Sequence, residues 1–363
     1  MRKSVRIHKT TLNNLITYAL VILAFVACQL AVNGTIPGFK MSRSLKGQLV
    51  PICVYIVMAV SLNLTVGVSG ELSLGHAGFM SIGAFSGIVM SSWLLSAFDM
   101  TSTTARLILA MVTGGVFAAI AGVLIGIPVL RLRGDYLAIV TLAFGEIIRS
   151  VLNCLYISVD GRALHIALGS PSIPGKLVVN GPAGAVGVAK ISTFVMGFAL
   201  VMLTLVVVLN LINSRSGRAI MAIRDSRIAA ESVGIHVTKY KMMAFVISAA
   251  LAGMAGALFG LNYSTVAASK FKFDTSILVL VFVVLGGIGN IRGSVIAAAL
   301  LTILPELLRA FSDYRMLAYA VVLILVMLLT NNPQLGALLA GVREKLTPKK
   351  RPAADTAKGG DRS

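Results

Sequence analysis

A dense group of ionisable side chains lies between two long apolar segments, in residues 217–235, called the island below. Its charged members are Arg218, Arg224, Asp225, Arg227 and Glu231. In a helix, Arg224, Arg227 and Glu231 share one face, where unlike charges can pair. A neighbouring small and apolar stripe consists of Ala219, Ile223, Ser226, Ala230 and Val233. The pattern predicts one short amphipathic helix that docks in a groove of a partner at the membrane surface. A plain loop that obeys the positive-inside rule fits the same residues.

A second candidate for chemistry is a pair of opposite charges inside an apolar run. Glu146 and Arg149 stand three residues apart there. A charge at the bilayer centre costs roughly 2.5 to 3.5 kcal/mol on insertion scales, so each needs a partner or a function. The spacing predicts an ion pair on one helical face.

Two glycine-rich segments, residues 69–78 and 285–293, form the third group, and Glu71 and His76 belong to the first of them. Both segments predict a break in a helix. Non-helical backbone at membrane depth is found where it is buried in protein or lines a watery cavity, and transporters use such breaks near their substrate. Ordinary surface turns are the alternative, and the sequence is compatible with both.

Several kinds of chemistry are excluded by spacing. Residues 169–176 have five residues between their glycines, and Leu177 follows the lysine where a phosphate-binding loop needs serine or threonine. Gly287, Gly289 and Gly293 are one residue off the dinucleotide-binding fingerprint and follow no strand. Neither a metal-ligand spacing nor a nucleophile elbow is found. We therefore expect no catalytic residue, no metal and no cofactor bound by this chain, and energy from a gradient or a partner.

The elements that must position these residues are membrane helices. Of 363 residues, 57% are hydrophobic and 12% are charged, against roughly 25% charged in soluble domains. The net charge of +19 indicates no nucleic-acid partner, because the basic residues lie between apolar runs. We predict an all-α polytopic membrane protein, a bundle of about 8–10 transmembrane helices with a cytoplasmic coupling helix. The predicted spans are 15–32, 49–68, 72–98, 107–130, 136–157, 191–212, 242–261, 276–285, 294–310 and 316–330. The eighth is too short to cross comfortably, and it is either re-entrant or fused to its neighbour.

Lysine and arginine predict the orientation, because short loops rich in them stay in the cytoplasm. They collect before the first span, in the island and after residue 342. With about ten spans, all three places face inward. We expect a cytoplasmic basic N-terminus (1–14), a transmembrane permease domain (15–340) and a disordered basic cytoplasmic tail (341–363). Within the permease domain, the loop 158–190 is periplasmic and the loop 213–241 is cytoplasmic. A cleaved signal peptide is the alternative for the first apolar run.

Small residues recur at every fourth position in two of the runs. The stripes are Gly114, Ala118, Gly122 and Gly126, and Ser248, Ala252, Gly256 and Gly260. Such stripes let helix backbones approach closely in a bilayer. They predict a tight bundle, and the lining of a narrow passage is the other interpretation.

The island resembles the ATPase-coupling loop of ABC importer permeases. Ala229, Ala230 and Gly234 match the hallmark Glu-Ala-Ala-x-x-x-Gly, and Ile228 replaces its glutamate. Four further blocks, 72–85, 130–149, 241–257 and 285–293, are similar to the LivM-type inner-membrane permeases of branched-chain amino-acid ABC transporters. The resemblance extends over about residues 49–340, and the first block is shared with the sister permease and with permeases for urea and short amides.

The resemblance implies an importer of branched-chain amino acids in the bacterial inner membrane, with both termini cytoplasmic and membrane lipid around the chain. Its expected partners are a second homologous permease, two cytoplasmic ATPases that use ATP, and a periplasmic binding protein that delivers leucine, isoleucine or valine. The residues expected to couple to the ATPase are Arg218, Arg224, Asp225, Ala229, Ala230 and Gly234. The substrate-path candidates are Gly75, His76, Gly78 and Glu146.

Three other functions fit parts of the sequence. A urea or short-amide permease of the same family shares its first block. A gradient-driven secondary transporter would show broken helices and buried charges, but it needs no docking island. A membrane scaffold would carry no flux at all.

Overall fold

The computed structural model describes residues 2–32, 42–130, 136–169, 174–308 and 314–331. The chain is mainly helical, and its α-helices are α1 (Arg2–Val32), α2 (Arg43–Asn63), α3 (His76–Phe98), α4 (Thr103–Val129), α5 (Tyr136–Asn153), α6 (Phe194–Asn213), α7 (Arg215–Asp225), α8 (Arg227–Ser232), α9 (Val237–Gly260), α10 (Phe273–Gly286), α11 (Ile291–Leu307) and α12 (Arg315–Asn331). A π-helical segment, Leu64–Val68, continues α2. The all-α polytopic prediction is confirmed.

Each of the ten predicted spans overlaps a helix. Among the described residues, six helical segments are long and apolar enough to cross a membrane: Ser44–Val68, His76–Phe98, Thr103–Val129, Tyr136–Asn153, Phe194–Asn213 and Val237–Gly260. The eighth predicted span is α10, a helix of 14 residues, or about 21 Å at 1.5 Å per residue. That length falls short of a hydrocarbon core of about 30 Å.

Helix α9 packs closely against both α3 and α4 because glycines remove side chains from its contact faces. A Cβ on Gly253 would lie 2.3 Å from the Cβ of Ala118 in α4. A Cβ on Gly256 would lie 1.9 Å from the carbonyl oxygen of Met80 in α3. Both distances are far below van der Waals contact, so larger residues would force the helices apart. The tight packing predicted from the small-residue stripes is confirmed.

A small antiparallel sheet, which we did not predict from the sequence, is formed by four strands within and next to the predicted outside loop and by a fifth strand that follows α9. Its strands are β1 (Leu155–Asp160), β2 (Ala163–Leu168), β3 (Lys176–Asn180), β4 (Gly184–Val186) and β5 (Thr265–Val266), in the order β2-β1-β3-β4-β5. The fifth predicted span is wrong at its end. Helix α5 ends at Asn153, because the next residues pair with β2 and β3 instead of continuing the helix.

Helix α6 joins the sheet to the island, and it has 20 residues, enough to cross a bilayer. The two structures therefore lie at opposite ends of the bundle, called the sheet end and the island end below. The chain divides into two compact units, residues 1–309 and 310–363. Helix α12 is the described helix of the second unit, and all other elements belong to the first.

Candidate functional site

The island consists of two helices rather than the single helix predicted. Helix α7 ends at Asp225, and Ser226 adopts an extended conformation with φ −157° and ψ 108°. The Ser226 hydroxyl then accepts a hydrogen bond from the backbone N–H of Ala229, which caps α8. Serine favours this capping role over a helix interior, and that preference explains the break. The predicted stripe is divided as a result: Ile223 and Ala230 are buried, whereas Val233 is exposed.

The hallmark motif of the island forms the end of α8. Gly234 has a positive φ of 81°, its N–H donates to the Glu231 carbonyl, and the Ile235 N–H donates to the Ala230 carbonyl. This pair of bonds is a Schellman motif, in which glycine is favoured at the left-handed position. Ile235 and Ala230 belong to one small apolar cluster with Ile223 and Val237. The spacing from Ala230 to Gly234 is thus the spacing that this helix cap requires.

Arg224 connects the island with the end of α2. Its Nη1 donates to the carbonyl of Gly67 at 2.9 Å, while Nε and Nη2 donate to Asp225. Its Cγ would lie only 2.7 Å from a Cβ built on Gly70. A Cβ on Gly289 would be 4.0 Å from Nη1. One arginine of the island therefore lies against both glycine-rich segments.

The first glycine-rich segment is a true helix break at residues 69–75. Glu71 forms a salt bridge with Lys241 of α9, and both side chains are only 15% exposed. Helix α3 begins after the break with His76, whose Nε2 is hydrogen-bonded to Ser61 Oγ at 2.8 Å. The hydroxyl of Ser248, in α9, donates to the Ser61 carbonyl at 2.6 Å. The break is thus held to α2 and α9 by buried polar groups.

The second glycine-rich segment meets the π-helical segment through Asn63. Its Oδ1 accepts a hydrogen bond from the Gly289 N–H and its Nδ2 donates to Ser294 Oγ, both at 2.8 Å. A Cβ on Gly67 would lie 2.0 Å from that Oδ1 and 2.3 Å from the Gly289 nitrogen. Asn63, Gly67, Gly70, Arg224 and Gly289 therefore form one contact region at the island end, called the junction below.

The structure brings two of the four path candidates together in a pocket. Gly78 and Glu146 line it, together with residues of α10 and of the segment before it, including Phe271, Lys272 and Ser276. Gly75 and His76 do not line this pocket. A Cβ on Gly75 would lie 2.1 Å from the Thr141 carbonyl oxygen, so glycine at this position permits the close approach of α3 to α5.

The predicted pairing of Glu146 with Arg149 is confirmed, with 2.6 Å between Oε2 and Nη2. Arg227 and Glu231, which we placed on one helical face, form an ion pair at 2.9 Å. Among the other island residues, Arg218 donates to the Asn213 carbonyl, and Ala229 is exposed on α8. Asn63 and Gly67 of the junction were not predicted from the sequence as functional residues. A polar residue and a glycine near the end of an apolar run were the available signals.

Comparison with known proteins identifies the family of this chain. Residues 44–330 match the family described as branched-chain amino acid transport system / permease component. The chain belongs to this family. The match includes the first glycine-rich segment, the island and the second glycine-rich segment, so the whole junction lies within the region that defines the permease family.

Individual permeases of this family are similar in sequence to the chain. The high-affinity branched-chain amino acid transport system permease protein LivM of Escherichia coli is 36% identical over 306 residues, which cover 80% of this chain and 69% of that protein. A probable LivM of Methanocaldococcus jannaschii is 25% identical over 283 residues, covering 70% and 78%. LivH of Escherichia coli is 34% identical over 125 residues, covering 34% and 40%. No solved structure gave a significant match.

Proposed function

We propose that this chain is a permease subunit of an ABC importer that carries leucine, isoleucine or valine across a bacterial inner membrane. The observation that carries this proposal is family membership, because the relatives named LivM are permeases of branched-chain amino acid transport systems. A second, homologous permease completes the passage, as the similarity to LivH supports. A periplasmic binding protein delivers the substrate, and two cytoplasmic ATPases supply the energy by using ATP.

The island is the docking site for one of these ATPases. Ile228 of α8 is 82% exposed, and Val233, the residue that follows α8, is 74% exposed. Large apolar side chains that stand out from a charged segment are typical of contact with a partner protein. Ile228 occupies the place of the family's usual glutamate, so this contact is apolar where a salt bridge is expected in relatives.

The junction transmits motion from the island into the bundle. Arg224 is the connecting residue, because its guanidinium lies against both glycine-rich segments. Glycine-rich, non-helical backbone can change its φ and ψ angles more easily than a continuous helix. When the ATPases close and displace α7 and α8, the ends of α2 and α10 at the junction follow.

The passage and the second permease adjoin the exposed face of α5. Glu146 follows Tyr136 by ten residues, so it lies about 15 Å along a helix of 18 residues, near the middle of the bilayer. The Glu146 and Arg149 side chains are 36% and 27% exposed there. An ion pair at this depth faces protein or water rather than lipid. The nearby Lys272, also exposed, adds to the polar character of this face.

Reconstitution tests the proposal. The chain is purified with the second permease, the ATPases and the binding protein, and placed in proteoliposomes. We expect uptake of labelled leucine, isoleucine or valine that requires both ATP and the binding protein. Uptake driven by an ion gradient without ATPases would identify a secondary transporter instead.

Urea and acetamide serve as competing substrates in the same vesicles. Uptake of either one in place of the branched-chain amino acids would assign the chain to a urea or amide transporter. An absence of flux for every substrate, with all partners present and the ATPases active, would contradict a transport function.

A further inference from the structure

A cavity of about 110 Å³ lies at the sheet end, between α3, the start of α4 and the sheet. Its polar lining comes from Ser91, Ser92, Ser96, Arg106 and Lys176, and Val178 and Val188 are among its apolar lining residues. The volume is comparable with the cavity of about 150 Å³ that admits benzene in an engineered protein. The volume of the cavity is therefore of the order needed to hold a molecule the size of a small amino acid.

Arg106 is the feature of this cavity that requires an explanation. Its residue is only 5% exposed, yet none of the ion pairs formed among the described residues involves it. Its Nη2 donates to Ser91 Oγ at 3.1 Å, and its Nε is buried without an acceptor. A guanidinium carries five donors and stays charged, so burial without a counter-ion is costly.

The other described lining residues of the cavity provide no negative charge. Lys176 is the second cation of the cavity, and no aspartate or glutamate is among the described residues that line it. The three serine hydroxyls can donate hydrogen bonds to an anion as well. This combination of two cations, hydroxyl donors and an apolar wall fits a small molecule with a carboxylate at one end and an apolar group at the other.

We propose that this cavity binds the carboxylate of a free small carboxylic acid, with Arg106 as the anchoring residue. The anion chemistry follows from the cavity alone. The identification of that acid with the amino acid being imported rests on the proposed function, since the sheet end is the side opposite the ATPase-docking island. The site then receives the substrate before it moves toward the middle of the bundle.

Protection of a cysteine tests the site in the full chain in lipid bilayers. S96C places a thiol in the cavity, and C154S removes the exposed native cysteine. The rate of labelling by a membrane-impermeant thiol reagent is measured with leucine, with 4-methylpentanoate, which lacks the amine, and with 3-methylbutylamine, which lacks the carboxylate. We expect the two carboxylates to slow labelling and the amine to leave it unchanged.

Charge variants provide the matched comparison. R106Q should raise the concentration needed for half-protection by about tenfold or more, the effect of losing a charge-assisted hydrogen bond, and R106K should lose less. R162Q, on the turn between β1 and β2, should leave protection unchanged because Arg162 does not line the cavity. If the R106Q variant does not insert into the membrane, the comparison of leucine, 4-methylpentanoate and 3-methylbutylamine still tests the site, because it uses the protein with native Arg106.

Several results would overturn the carboxylate site. Equal protection by all three compounds, or protection by none of them, would do so. Protection only when the binding protein is present would also do so, because Arg106 would then pair with an acidic side chain of that protein. Leucine uptake without carboxylate-dependent protection would refute this site and leave the proposed function intact. Protection by 4-methylpentanoate in a system that imports no branched-chain amino acid would refute the function and leave the site.

Discussion

The guanidinium of Arg224 donates a hydrogen bond to the backbone carbonyl of Gly67, although the two residues are 157 positions apart in the chain. The bond joins α7 of the island to the π-helical end of α2. The side chain of Arg224 also fills the space that a side chain at Gly70 would need. A movement of the island therefore acts directly on the point where a membrane helix is broken.

Arg224→Gln should uncouple ATP hydrolysis from transport. Glutamine is too short to keep the bond to Gly67, and the loss of a charge-assisted hydrogen bond is worth about 1.5 to 3 kcal/mol. We expect the number of amino acids imported per ATP hydrolysed to fall about tenfold or more. Arg227→Gln is the control, because Arg227 pairs with Glu231 inside α8. Equal coupling in both variants would contradict a special role for Arg224.

Gly234→Val should also impair coupling, but through the backbone. The position has a φ of 81°, and no atom lies within 4 Å of a Cβ built there, so steric space is not the obstacle. Valine in the left-handed region is strained by about 1 to 3 kcal/mol, which should open the cap of α8. Gly234→Asn should retain more activity, because asparagine tolerates this conformation. Uptake and ATPase activity are measured together, with membrane insertion as the control; normal coupling in the valine variant would refute the docking role.

Gly75→Ala should destabilise the protein where α3 meets α5. The added Cβ would lie 2.1 Å from the Thr141 carbonyl oxygen, so the helices must separate. Forced overpacking of this kind costs about 1 to 3 kcal/mol. Gly145→Ala, on the other side of the contact, has 3.4 Å to the nearest atom and should be nearly neutral. Thermal unfolding of the purified variants checks the difference, and a lower midpoint for Gly145→Ala would contradict it.

Glu71 and Lys241 should show energetic coupling in a double-mutant cycle. Their salt bridge is largely buried, so removing one charge leaves the other without its partner. We expect Glu71→Gln and Lys241→Met to destabilise the protein singly and the double variant to recover part of the loss. The coupling energy should be about 1 kcal/mol or more. Additive single effects would show that the pair contributes no stability beyond its separate residues.

Much of the fold could be predicted because its signals are local. Long apolar runs specify membrane helices by length alone, and each predicted span overlaps a helix. The pairs Glu146–Arg149 and Arg227–Glu231 follow from helical spacing. The Ala230 to Gly234 spacing likewise belongs to a cap made by consecutive residues. The break between α7 and α8, which we did not predict, also has a local cause. Ser226 ends α7 because its hydroxyl caps the start of α8.

The sequence by itself determined that this is a polytopic helical membrane protein of the permease family with a charged island between two spans. Only the tertiary structure decided that Arg224 lies against Gly67, that Arg106 is buried without a carboxylate among the described residues, and that β5 joins a sheet formed about a hundred residues earlier. Each of these relationships joins residues by packing rather than by helical or strand periodicity. A periodic pattern specifies which face of a helix is apolar, but the partner of that face depends on how the helices pack together.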